Sequence, residues 1–402
     1  MLRLAQVRAV ARRGYASLAA SPAAGQLYMC GTGESNKLGL GNSNDHETPT
    51  LVEALAEVPL VHVAAGKYHS AAVAADGGVY AWGLNSSGQL GLSSRSDATV
   101  PQKVEALSGI GVKQISCGVY HTLALTEEGD VYSCGFGGSF FSGAGGLGHG
   151  NRTQLETPAK IEAFASAGVT IASVGAGSFH SVARDTDGGV WTWGRGEWGR
   201  LGHGDAGDQL EPLQVEDPKG GPHLAAVAFS GESHSATLSA AGEIFSWGRN
   251  EHWQLGYEVV GLLNSGQSFD AQQDPRLVEV PAGGSPAVRF GTSEMASASI
   301  HADGQVFLWG MSRYFVPAPL PGGTSLLPCE PTELVELQLG GSHVAMLTPC
   351  GRLFTFGNGA ALGVPKVARK AWELQEVRDE ALDGRKVVQV ACGTNSTAML
   401  VA

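Results

Sequence analysis

Seven copies of one three-part signature run along this chain, and such a repeat restricts the fold more than any composition does. The first part is a glycine with a histidine three residues later: Gly66 to His69, Gly118 to His121, Gly177 to His180, Gly231 to His234 and Gly340 to His343. Two copies read as degenerate, with Glu294 and Ser396 at the histidine position. The second part is a strand-like run closing on aromatic-Gly, at Trp82-Gly83, Trp193-Gly194, Trp247-Gly248 and Trp309-Gly310, with Cys30-Gly31, Cys134-Gly135 and Phe356-Gly357 as variants. The third is Leu-Gly, beginning at Leu38, Leu90, Leu147, Leu201, Leu255 and Leu362, and only the sixth copy lacks it.

The aromatic-Gly glycines stand 47 to 62 residues apart. Between histidine and aromatic-Gly the chain alternates and turns, as in Ser70 to Tyr80, where Asp76-Gly77 supplies the positive φ of a hairpin. Each copy therefore reads as a small antiparallel sheet. A sheet this small cannot bury its faces alone, whereas a ring of them packs each on its neighbours and leaves only short edges. The expected fold is all-β, a seven-bladed propeller. Residues 25–31 supply only the aromatic-Gly strand of a copy and residues 386–401 supply its earlier strands, so one blade is expected to be built from both termini.

Together the three parts resemble the regulator of chromosome condensation repeat, over about residues 25 to 402. That family includes a nuclear guanine-nucleotide exchange factor for a small GTPase, a plant ultraviolet photoreceptor, ubiquitin ligases, and mitochondrial proteins tied to organelle ribosomes, RNA processing and respiratory-complex assembly. One fold hosts many functions, so the fold cannot choose among them. Light sensing is not expected, because the tryptophans are dispersed and the Gly-Trp-Arg-His-Thr pattern associated with it is missing.

The first twenty residues are sequence of a different kind. They carry Arg3, Arg8, Arg12 and Arg13, no acidic residue, and apolar residues at helical spacing, the composition of a mitochondrial transit peptide. Arg13-Gly14-Tyr15 before Ala16-Ser17 resembles a processing site. Residues 1–15 are read as a targeting segment cleaved after Tyr15, 16–24 as a linker and 25–402 as the propeller, placing the protein in the matrix, where partners could also hold it at the inner membrane. No run of 18 apolar residues occurs, so no membrane span is expected.

The formal net charge is −12, and no basic run follows residue 13. An acidic body repels a phosphate backbone, which argues against direct nucleic-acid binding. The six cysteines form no Cys-x-x-Cys pair. Cys30 and Cys134 take the tryptophan position, Cys117 and Cys392 precede a repeat glycine, and these four are read as small core residues. No phosphate-cradling Gly-x-x-x-x-Gly-Lys-Ser/Thr loop is present, and no nucleophile, base and orienter assemble, so neither a cofactor nor a catalytic set is expected. His69, His121, His180, His234 and His343 recur at one blade position, which spreads them round the ring, and they are assigned structural hydrogen bonds between strands or blades.

Departures from the repeat mark the candidate partner-binding residues, since recognition sits on loops of a rigid scaffold. In the third copy the loop before Leu-Gly is extended and carries Phe136, Phe140 and Phe141, read as either an exposed anchor or a plug against the ring. Trp198 and Trp253 lie in the corresponding loops of the fourth and fifth copies. Residues 257–275 and 312–319, the latter with Tyr314 and Phe315, are expected to be surface loops. The functional expectation is a non-catalytic scaffold for a mitochondrial ribosomal or respiratory assembly. The alternative is a guanine-nucleotide exchange factor for a mitochondrial small GTPase.

Overall fold

The computed structural model describes residues 24–139, 143–259, 271–281, 283–370 and 372–402. They form the expected seven-bladed propeller, each blade a four-stranded antiparallel sheet. Blade 1 is the closing blade: its strands, from the axis outward, are Val387–Cys392, Ser396–Val401, Gln26–Gly31 and His46–Leu51. Blade 2 comprises Leu60–Ala65, His69–Ala74, Val79–Gly83 and Ala98–Lys103. Blades 3 to 7 span 112–160, 171–214, 227–277, 287–319 and 336–376. The innermost strands touch their neighbours all the way round, which closes the ring.

The second strand of a blade is covered on both faces by the adjacent blades. All six residues of His69–Ala74 are buried, which is why this strand is a run of small residues, not an in-out alternation. The hairpin that follows has Gly77 at φ +79°, with Gly78 donating to Asp76 Oδ1.

The repeat signature is an interface code. The Leu-Gly glycine of one blade lies under the tryptophan of the next, and a Cβ at Gly39, Gly148, Gly202 or Gly256 would meet the indole nitrogen of Trp82, Trp193, Trp247 or Trp309 at 2.6–2.8 Å. The carbonyl two residues before that glycine is the shared acceptor for Trp82, Trp193 and Trp309, while Arg200 O accepts from Ser235 and not from Trp247. Lys37 O receives Trp82 Nε1 and Ser70 Oγ at 2.9 Å each, and Gly146 O receives Trp193 Nε1 and Ser181 Oγ at 2.8 and 2.7 Å. Because the hydroxyl donates to a carbonyl, it accepts from the histidine of the preceding blade. His69 reaches Thr122 at 2.7 Å, His121 reaches Ser181 at 2.8 Å, His180 reaches Ser235 at 3.1 Å and His343 reaches Thr397 at 2.9 Å. His234 meets Thr292 at 2.6 Å, and Thr292 passes the contact to Ser297. The glycine three residues before the histidine leaves room for the ring: a Cβ at Gly177, Gly231 or Gly340 would stand 2.1–2.5 Å from the imidazole Cε1.

Burial holds these rings neutral, His69 and His234 down to about 3, His121 and His343 to about 4, and His180 well below its ordinary value. Cys30, Cys117 and Cys134 are buried and Cys392 is half-buried, all as free thiols.

Three expectations are corrected. In the sixth copy Ala296, not Glu294, holds the histidine position: it pairs with Gly310 as His69 pairs with Gly83, and Ser293 N–H bonds Ala296 O as Gly66 N–H bonds His69 O. The copy has lost its glycine to Ser293, and Gly291, two residues earlier, mimics the motif in the sequence. Residues 312–319 are not a surface loop. They hold the fourth strand of blade 6, Tyr314–Pro319, which follows the aromatic-Gly strand almost directly because the Leu-Gly loop is gone. Nor does the expected loop 257–275 run its full length, since residues 271–275 open the fourth strand of blade 5, Ala271–Leu277.

Candidate interaction face

Strands alternate in direction, so the turn between first and second strands and the loop between third and fourth leave each blade at the same end. Backbone bonds fix the two together: Leu84, Phe136 and Arg195 N–H groups donate to Tyr68, Tyr120 and Phe179 carbonyls at 3.0, 2.9 and 2.9 Å. This end, the upper face, collects almost every departure from the repeat.

The residue before the histidine is aromatic in three consecutive blades, Tyr68, Tyr120 and Phe179, and all three are half-buried on this face. Tyr120 stacks on Phe179 with centroids 5.1 Å apart, Tyr68 lies 6.4 Å from Tyr120, and Phe136 fills the angle at 6.3 Å from Tyr120 and 5.8 Å from Phe179. Arg195 lies 5.6 Å over the Phe179 ring. The sequence reading named Phe136 but missed the other three, although their shared register before the histidine was visible.

Phe140 and Phe141 lie outside the described residues. The ends of their loop, Gly138–Ser139 and Gly143–Ala144, pair as a short hairpin. Asp208 of blade 4 ties that hairpin down by accepting from Ala144 N–H at 2.7 Å and from Gly196 N–H at 3.0 Å.

Trp198 and Trp253 are half-buried and left-handed, with φ +69° and +64°. A left-handed bulky residue is an outlier that the surroundings must enforce. Trp253 stands where blades 2 and 4 use Gly88 and Gly199. Arg249 covers Trp198 at 5.0 Å, and Trp253 meets Phe315 edge-on at 5.5 Å. Phe315 is exposed and Tyr314 is half-buried beneath Arg313, which also covers Trp372 of blade 7 at 4.8 Å. The candidates are therefore not one patch. Phe136 joins the aromatic arc over blades 2 to 4, while Trp198, Trp253, Tyr314 and Phe315 lie in a separate outer arc over blades 4 to 6.

Between the arcs, over the axis, Lys67 of blade 2 meets two carboxylates from the opposite side of the ring. Its Nζ is 3.2 and 3.3 Å from the Glu232 oxygens and 3.1 Å from Glu294 Oε1. Among the described residues no group of three or more His, Cys, Asp or Glu is placed to hold a metal, and no helix is long and apolar enough to cross a membrane.

The family model that matches is the RCC1-like domain, over residues 2–317. Human E3 ubiquitin-protein ligase HERC2 is 36% identical over 276 residues, covering 68% of this chain, but the chain spans only 6% of HERC2. The Bos taurus secretion-regulating guanine nucleotide exchange factor is 31% identical, covering 81% of this chain and 72% of that protein. The Arabidopsis thaliana RCC1 domain-containing protein RUG3, mitochondrial, is 29% identical, covering 80% and 72%. Among solved structures, Prp20p from Saccharomyces cerevisiae superposes with a TM-score of 0.78 at 20% identity, over 94% of this chain and 92% of that one. Seven blades, four of their interfaces carrying the tryptophan-glycine contact and five the histidine-hydroxyl contact, under a family model that covers most of them, make this chain a member of the RCC1-like domain family.

Proposed function

We propose that the protein is a non-catalytic interaction scaffold of mitochondria, which holds a protein subunit of a large ribosomal or respiratory assembly on its upper face. The observation that carries this reading is the arc of Tyr68, Tyr120, Phe136 and Phe179: four half-buried aromatic rings in mutual contact on a rigid ring, gathered in one sector of the face. Clustered aromatics are the usual anchors of protein interfaces. The mitochondrial address rests on the composition of residues 1–15 and is supported by the name of the RUG3 relative.

A second reading, exchange factor for a mitochondrial small GTPase, is favoured by the similarity to the secretion-regulating guanine nucleotide exchange factor. Affinity purification of the tagged protein from isolated mitochondria, with and without GDP, separates the two. Ribosomal or respiratory subunits at fixed stoichiometry are the expected result, and a GTPase enriched only without nucleotide would replace the scaffold by exchange activity. N-terminal sequencing of the purified protein tests cleavage after Tyr15, with Ala16 as the expected first residue.

A further inference from the structure

The second residue of each turn between first and second strands faces the mouth of the central channel. Round the ring these residues are Thr394, Lys67, Val119, Ser178, Glu232, Glu294 and Gly341. Only three are charged. In a ring of seven, blades 5 and 6 stand opposite blade 2, so Lys67, with neighbours 165 and 227 residues away, reaches across the mouth to both carboxylates. All three side chains are about three-quarters buried, with 23%, 27% and 21% exposure. The contacts continue into the turns: Glu232 O accepts from Ser178 N–H at 3.1 Å, and Thr394, whose hydroxyl holds the Glu294 carboxylate, accepts at its carbonyl from Gly341 N–H at 2.8 Å.

We propose that Lys67 is a strap across the channel mouth, a conformational device that couples the turn of blade 2 to those of blades 5, 6 and 1 and loosens when its carboxylates change charge. A surface ion pair would contribute little, but this one is desolvated and joins elements that no backbone bond connects. One ammonium faces two carboxylates. Burial, with the neighbouring Glu294, raises Glu232 to about 7. The Glu294 carboxyl stays below its ordinary value because its hydrogen bonds with Glu232, Lys67 and Thr394 outweigh burial. The two carboxylates therefore share one proton near neutrality, and the strap is charge-balanced. Above that range both ionise, and the surplus negative charge pushes blades 5 and 6 apart at the mouth. The other charged or titratable groups packed round the strap are Glu34 and Lys37 of blade 1, the hydroxyls of Tyr68 and Tyr120, and Arg200 of blade 4.

The test is amide hydrogen exchange in the full chain, corrected for the intrinsic pH dependence, read at Ser178 and Gly341. Lys67→Met is expected to speed exchange at both by about tenfold at neutral pH, while Lys67→Arg stays within about twofold of the parent. The parent should also show a rise in exchange above about pH 7, which Glu232→Gln abolishes because it leaves one carboxylate for one ammonium. A Lys67→Met effect confined to residues 66–69, or a rise that persists in Glu232→Gln, would overturn the strap.

Discussion

Gly39 of blade 1 lies against the indole of Trp82 in blade 2, so closely that a Cβ at residue 39 would stand 2.8 Å from the ring nitrogen. Gly39 also has φ +72°. Gly39→Ala therefore adds a clash to a left-handed alanine and is expected to destabilise the protein by about 2–4 kcal/mol. Gly363→Ala is the comparison: φ is +67° there, but the facing residue is Cys30, whose sulfur is 3.3 Å from the built Cβ. Its cost should be about 1–2 kcal/mol, chiefly the backbone term, because the Cys30 sulfur and the Val377 methyl at 3.2 Å need yield only a few tenths of an ångström. Equal losses in urea unfolding would show that the indole does not set the requirement.

Ser181 joins two blades by accepting from His121 and donating to the Gly146 carbonyl. Ser181→Ala leaves a buried imidazole N–H without its acceptor and should cost about 1–3 kcal/mol. His121→Phe alone should also destabilise, but the double variant should lose less than the sum of the two. Additive losses in that double-mutant cycle would mean that the pair is not coupled.

Much of this was legible in the sequence, because the three interfaces between blades 3 and 6 repeat the same three contacts and three others keep part of them. The interface between blades 6 and 7 shows the code from its failure. Leu-Gly is missing from blade 6, Ala296 replaces the histidine, and on blade 7 the hydroxyl position is Val344 and the tryptophan position Phe356. All three polar or close-packed contacts were exchanged together for an apolar junction of Leu308, Leu327, Leu339, Val344 and Phe356. Register was readable where the glycine survived and slipped by two residues where Ser293 replaced it. Contacts across the axis were not readable. Lys67 meets Glu232 because of where blades 2 and 5 stand in a closed ring, and no spacing along the chain encodes that distance.

Acid should weaken the fold. The five repeat histidines have folded-state values depressed below the ordinary 6.5, so as pH falls below about 6.5 the unfolded chain takes up protons that the folded rings refuse. Stability is fully present above that range and is lost toward about pH 4, by up to about 1.4 kcal/mol per pH unit for each histidine. Glu232 and Glu336, raised to about 7 chiefly by burial, act in the opposite sense over part of the window. Melting temperatures should still fall between about pH 7 and pH 5, and His121→Gln should flatten the slope. An unchanged or steeper slope in that variant would remove His121 from the acid response.

Trp253 holds a conformation that blades 2 and 4 give to Gly88 and Gly199. Trp253→Gly relieves left-handed strain of about 1 kcal/mol while giving up the contact with Phe315, so the melting temperature should change little. If the outer arc binds a partner, the same variant should lower partner recovery from mitochondria several-fold. A large fall in stability with recovery intact would make this tryptophan a packing residue.

Blade 1 takes its two inner strands from residues 387–401 and its two outer strands from residues 26–51. A chain emerging amino-terminus first from a ribosome can stack blades 2 to 7 in order, yet Gln26–Gly31 has no neighbour on its inner side until Ser396–Val401 arrives. Until then the arc presents two open sheet faces and an unpaired strand, the surfaces that attract chaperones or aggregate. Closure of the ring therefore waits for Ser396–Val401, and a nonsense change anywhere before Ser396 leaves an open arc instead of a slightly shorter ring.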